Sequence, residues 1–171
     1  MKPTIAALTR GLAAGVAGTA CMTVLQEIMA KRRRRALAEV MTSRATESGD
    51  PWKRAPAPAL LAKRVIEGVF QRELPPERIP LFTNAVHWGF GTVMGAAYGL
   101  AQSRSAGNPA LRGPLFGLGV WAQSYATLVP LGLYKWPWHY RAGAIAKDVS
   151  YHLLYGSGVA AGYELVGRAR R

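Results

Sequence analysis

The chain has 171 residues, half of them hydrophobic, with 19 glycines, a single cysteine and a net charge of +13 from 22 Lys and Arg against 9 Asp and Glu. That length fits one domain, or one domain with an appendage, and the lone Cys21 excludes an internal disulfide framework and the four-ligand cysteine zinc patterns. The positive balance invites nucleic acid, anionic lipid or an acidic partner, and the placement of the charges decides between them.

Residues 31–80 hold 12 of the 22 basic residues, while 81–103, 113–134 and 149–167 hold none. A nucleic-acid-binding domain spreads its Lys and Arg along the elements of its binding face. Here the charges sit between long apolar stretches, the pattern of a membrane protein with charged loops. No nucleic-acid partner is therefore expected. The expected partners are the lipid bilayer and its anionic headgroups.

In chain order, residues 1–30 form a first apolar segment, with Arg10 inside it and Cys21 as a small buried hydrophobe. Lys2 and the stretch AGTAC resemble a leader, but Arg10 interrupts the apolar run and KRRRR follows at Lys31–Arg35, so a retained helix is expected. A basic cluster beside a spanning helix stays cytoplasmic, which places the 31–80 loop inside and the amino terminus outside. Glu27 is expected to pair with that cluster. Within the loop, Ala36–Lys53 reads as a turn-rich polar connector. Residues 58–73, PALLAKRVIEGVFQRE, put Leu61, Val65, Val69 and Phe70 near one face and Lys63, Arg64, Glu67 and Arg72 toward the other. That periodicity predicts an amphipathic helix, suited to an anionic leaflet or to packing under the bundle.

Three further apolar segments follow within 81–171, at about 81–102, 113–134 and 145–167. Each is near the ~20 residues that cross a bilayer as a helix. Glycines recur at small-xxx-small spacing on every segment: Gly11 and Gly15; Gly91, Gly95 and Gly99; Gly113 and Gly117; Gly158 and Gly162. In lipid, that spacing lets helix backbones approach closely. The same faces offer a route to a homo-oligomer. YKWPWHY, Tyr134–Tyr140, ends the third segment as an interfacial aromatic anchor, with a ligand lip as the sharper alternative.

A pattern is written twice. HWGFGTVMGAAYG (His87–Gly99) and HLLYGSGVAAGYE (His152–Glu164) share a His, an aromatic three later, a Gly, a Thr or Ser, and a Tyr. Arg10–Gly11 and Arg112–Gly113 open a weaker correspondence between the first and third segments. The expected fold is an all-α integral membrane four-helix bundle of two weakly related helix pairs in parallel repeat. Asn84 precedes His87 by three residues and Asp148 precedes His152 by four, so each pair shares a helix face. Asn84, His87, Asp148 and His152 form the candidate intramembrane polar cluster. Glu164 with Arg10 or Arg112 is the candidate interhelical ion pair.

The order of features then resembles the YagU-type family of bacterial inner-membrane proteins. The matching parts are a Gly-rich first span, NAVHWGFGTVMGAAYGLA, RGPLFGLGVWAQ, LVPLGLYKWPW, and a last span with HLLYG and Glu164. The resemblance covers Asn84 to Arg171 and, loosely, the first span; the basic loop lies outside it. It implies a multi-pass protein of the inner membrane and carries over no catalytic residue.

Three readings of the polar cluster follow. The first is structural, with His87 and His152 tying helices by hydrogen bonds. The second is a proton or solute pathway through His87, Asp148 and His152. The third is one haem between the two histidines, with the nearby glycines making room for its plane. No metal site and no catalytic residue are expected. Ser150 and Ser157 stand near His152 without the strained turn of a nucleophile elbow.

Overall fold

The computed structural model describes residues 3–40, 50–102 and 108–169; the middle of the polar connector, the centre of the loop after the second segment and the last two arginines lie outside these. The described residues are helical, with no strand among them. There are five α-helices rather than four: α1 (Pro3–Val40), α2 (Ala57–Val69), α3 (Ile79–Gln102), α4 (Pro109–Leu128) and α5 (Ala142–Arg168). The additional one, α2, falls in the stretch read as an amphipathic helix.

Two boundaries differ from the sequence reading. The first helix does not stop near residue 30: α1 runs through KRRRR to Val40, so the basic run is helical and not a loop. Lys and Arg are good helix formers, and no Pro or Gly breaks the stretch. The third segment was expected to reach residue 134, but α4 ends at Leu128. Hydropathy continues past that point while the backbone turns. Gly132 takes φ +67°. Its N–H donates to the Val129 carbonyl at 2.9 Å, and the Leu133 N–H donates to the Leu128 carbonyl at 2.9 Å. This pairing of a left-handed glycine with two backward bonds is the Schellman helix stop. At the other end of α4, the Asn108 side chain caps the helix by accepting from the Ala110 N–H at 3.0 Å, with Pro109 in the first turn.

The chain divides into two compact units, one of Met1–Met22 with His87–Arg171 and one of Thr23–Val86. In the first, contact registers give the helix directions. Gly11 lies against Gly95, Ala96 and Gly99, and Gly15 lies against Gly91 and Thr92, so α1 and α3 run antiparallel. Gly113 meets Gly156, Ser157 and Ala160, and Gly117 meets His152 and Leu153, so α4 and α5 run antiparallel. Gly158 and Gly162 of α5 rest on Gly18, Cys21, Ala14 and Ala17 of α1. The core between them holds Ala14, Tyr98, Val120, Tyr155, Val159, Ala160 and Tyr163. It is thus small residues and tyrosines. Rings of Tyr98 and Phe116 meet edge to face at 5.0 Å, and Tyr98 and Tyr163 do so at 5.7 Å.

The outer faces carry the aliphatics. Val93 is 59% exposed, Leu111 and Leu115 are each 64%, and Leu165 is 65%. Among the described residues one helix is apolar enough, by length and composition, to cross a membrane, α1 over Thr4–Arg35, and 28% of its apolar window is buried. The other long helices fall short because polar residues such as Asn84 and His87 in α3, Gln123 in α4 and His152 and Glu164 in α5, together with glycine and tyrosine, lower their mean hydropathy.

In the second unit, α2 buries Ala59 and Ala62 and leaves Val65, Val69 and Phe70 exposed. Its polar face is laced: Lys63 Nζ pairs with Glu67 Oε1 at 2.5 Å, and that oxygen also accepts from the Leu74 N–H at 3.0 Å. These bonds, Lys63 first, hold the Glu67 carboxyl below the usual range. A depressed folded-state pKa gives stability that is present above the unfolded value and is lost as pH falls through the folded one. Acidification below the normal glutamate range should therefore free the Leu74 amide. The protection of the Leu74 amide, its exchange relative to the intrinsic rate at each pH, should fall there in the wild type and be low at all pH in Glu67→Ala; unchanged protection would remove the tether.

Candidate functional site

The polar residues of the first unit gather around Asp148, near the start of α5. Trp121 and Tyr125 stand one turn apart on α4 and present one face to it. Trp121 Nε1 donates to Asp148 Oδ2 at 3.0 Å, and the Tyr125 hydroxyl donates to the same oxygen at 3.2 Å. Both donors from α4 thus converge on one carboxyl oxygen of α5. His152 lies one turn further along α5. Its Nδ1 is 2.9 Å from the Asp148 backbone carbonyl and 3.6 Å from Asp148 Oδ1. A carbonyl only accepts, so Nδ1 is the donor in that contact. His87 is half-buried and within electrostatic range of His152.

A cleft of about 200 Å³ opens beside this group, lined by Tyr125, Tyr134, Tyr140, Ala144, Ile145 and Asp148. The Tyr125 ring lies 5.3 Å from that of Tyr134 and 6.4 Å from that of Tyr140, at 54° and 79°. The turn after α4 folds Tyr134 back, and the Tyr140 hydroxyl accepts from the Lys135 N–H at 3.0 Å, which ties the YKWPWHY loop onto itself. Within that loop Trp136 and Trp138 stack at 5.1 Å.

Of the predicted cluster, then, Asp148 and His152 touch and His87 stands near. Asn84 belongs to the second unit, where its amide donates back to the Pro80 carbonyl at 2.9 Å. The predicted partners of Glu164 are engaged beside it. Arg10 Nη2 donates to the Tyr163 carbonyl at 2.7 Å, and its guanidinium sits 4.0 Å over the Tyr163 ring. Arg112 Nη1 donates to Gln102 Oε1. Glu164 itself borders a second cleft with Ala110, Pro114, Ser157, Ala160 and Ala161. Among the described residues no group of three or more His, Cys, Asp and Glu could hold a metal ion.

Two features escaped sequence reasoning. One is the role of Trp121 and Tyr125, which reach Asp148 from another helix; their spacing of four was the available signal. The other is a tyrosine ladder. The Tyr155 hydroxyl donates to the Gly91 carbonyl at 2.6 Å and the Tyr163 hydroxyl donates to the Gly99 carbonyl at 3.4 Å. Both pairs advance by two turns together, so α3 and α5 run parallel. Tyr155→Phe should lower stability by about 1 kcal/mol, the net worth of a buried hydrogen bond, and Tyr163→Phe by less because its bond is long. Thermal melts of both variants beside the wild type check the order; melts equal to the wild type would mean the hydroxyls do not hold α3 to α5.

No family model, curated protein or solved structure matches this chain.

Proposed function

We propose that this is a multi-pass inner-membrane protein of the YagU type, in which α1, α3, α4 and α5 cross the bilayer and whose work is structural: a tightly packed scaffold bundle. One observation carries the reading, the inversion of residue type. Tyrosines 98, 155 and 163 and the small-xxx-small glycines (Gly91, Gly95, Gly99, Gly158 and Gly162 among them) face inward, while Val16, Val93, Leu111, Leu115 and Leu165 face outward. In water such a surface would be an aggregation hazard; in hydrocarbon it is the expected one.

The treatment of hydroxyls supports it. Thr19, Ser124 and Ser157 each donate to the carbonyl four residues back in their own helix, at 2.8, 2.9 and 2.8 Å. Side chains on a lipid-surrounded helix satisfy themselves this way because no water is at hand. KRRRR at the far end of α1 sets that end to the cytoplasm, and the exposed Val65, Val69 and Phe70 of α2 suit the inner leaflet.

The two helix pairs also correspond. The sequence repeat carries Gly91 and Thr92 onto Gly156 and Ser157; Gly15 sits on the first pair and Gly113 on the second. The match between the first and third helices therefore runs through Gly15 and Gly113, one turn from the Arg10 and Arg112 alignment. Gly91, Gly95 and Gly99 meet α1 within the chain, as do Gly158 and Gly162. This occupancy supports packing over a haem cleft or a homodimer on those faces. The contact of Asp148 with His152, with His87 nearby, favours a proton or solute pathway as the second reading.

The test is extraction from membranes. The protein should resist alkaline carbonate and dissolve only in detergent. A cysteine placed at Trp138, in a Cys21→Ala background, should react with an impermeant maleimide only when the cytoplasmic face is open. Release by carbonate would overturn the multi-pass reading, and labelling from outside intact cells would invert its orientation. The scaffold reading requires His87→Ala or His152→Ala to lower stability; a variant that folds normally while its host loses proton or solute flux assigns the pathway instead.

A further inference from the structure

The cleft beside Asp148 has a chemistry that packing does not call for. Its walls are three tyrosine rings inclined to one another, one carboxylate and two small apolar side chains. Two of the three hydroxyls are turned to other work: that of Tyr125 to Asp148 and that of Tyr140 to the Lys135 amide. What the lining chiefly offers an occupant is ring surface and a carboxyl group, with the Tyr134 hydroxyl beside them. Asp148 Oδ2 holds both donors from α4, and Oδ1 makes no hydrogen bond among the described residues.

Ring faces and a carboxylate together attract a cation without offering the oxygen ligands that a hard metal ion needs. The carboxylate repels anions. Among the described residues the cations standing over rings are Arg10 on Tyr163 and Lys63 on Trp52, so none of the chain's own fills this cage. A volume of about 200 Å³ lies below the roughly 300 Å³ at which sites for drug-sized ligands begin. We infer that Tyr125, Tyr134, Tyr140 and Asp148 form a binding site for a small quaternary ammonium ion, of tetramethylammonium or choline size. The cleft lies between α4, the loop after it and α5, so the site stands whatever surrounds the bundle. The ion's source is either a free solute or a choline headgroup; the chemistry is shared.

The test is calorimetric titration of the full chain in dodecyl maltoside with tetramethylammonium chloride and with choline, sodium chloride serving as the reference. A neutral counterpart, 3,3-dimethylbutan-1-ol, has choline's shape without its charge. Saturable binding of both cations is expected, with choline at least about tenfold tighter than the alcohol, a difference of about 1.4 kcal/mol. Asp148→Asn keeps an acceptor for Trp121 and Tyr125 and should weaken choline by about tenfold or more while the variant stays folded, with only a small fall in melting temperature. If that variant does not fold, Tyr134→Leu carries the test, with a similar loss expected. No saturable heat, equal affinity for alcohol and choline, or undiminished binding by the folded variants would each overturn the site. Once binding is established, nanodiscs with and without phosphatidylcholine name the source: a weakened apparent affinity for tetramethylammonium assigns the headgroup, and an unchanged one assigns the free solute.

Discussion

Gly156→Ala should abolish the folded bundle, while Gly119→Ala should leave it intact. A methyl at 156 would overlap the Gly113 carbonyl oxygen and stand 2.5 Å from the Gly117 nitrogen and 2.7 Å from its Cα. All three are backbone atoms of α4, so no rotamer change relieves the overlap and the helices must separate. Overpacking of a core by a methylene or two costs about 1–3 kcal/mol where side chains can yield. Here they cannot, and the loss should be at the top of that range or beyond it. A methyl at Gly119 meets nothing within 4 Å. There the exchange should be neutral or stabilising by up to about 1 kcal/mol, the helix-propensity gain over glycine. Gly15→Ala should follow Gly156, since its methyl would stand 2.7 Å from the Gly91 carbonyl and 2.8 Å from the Thr92 Cα. Size-exclusion profiles and melting temperatures in mild detergent report all three. If Gly156→Ala and Gly119→Ala behave alike, the close α4–α5 approach is not what holds the bundle.

Those glycines were legible because a small residue every fourth position has one use along a helix: it lets another backbone in. Which backbone enters was not legible. Gly91, Gly95 and Gly99 could have met a second copy, and the sequence alone does not distinguish that from the α1 groove of Gly11 and Gly15. The ends of α1 and α4 were misplaced for opposite reasons. At Lys31 a change in polarity looked like a helix end, but charge does not stop a helix and the chain continues to Val40. At Val129 the polarity stays constant while Gly132 turns the backbone, so hydropathy carried the segment too far. The polar site divides in the same way. The pairing of Asp148 with His152 follows from spacing within one helix. Its partners Trp121 and Tyr125 come from another helix, at a register that only the packed glycines of α4 and α5 determine.

Asp148→Leu should be the most damaging change of a polar residue in the first unit. Asp148 Oδ2 is the acceptor for both Trp121 Nε1 and the Tyr125 hydroxyl. Removing it leaves two donors facing an aliphatic side chain. A buried donor left without a partner costs about 1–3 kcal/mol, and the side chain of Asp148 is 29% exposed, so water recovers part of that. The net expectation is a loss of about 2–4 kcal/mol for the two donors together. Asp148→Asn should lose far less, because the amide oxygen still accepts both bonds. The contrast separates two roles of one residue. If the Leu variant melts far below the Asn variant, the acceptor is what α4 requires of α5, and the charge is free for a ligand to use. If the Asn variant falls as far as the Leu variant, a neutral acceptor is not enough: the charge itself stabilises this end of α5, through its contact with His152 at 3.6 Å on the same helix, and α4 depends on that order.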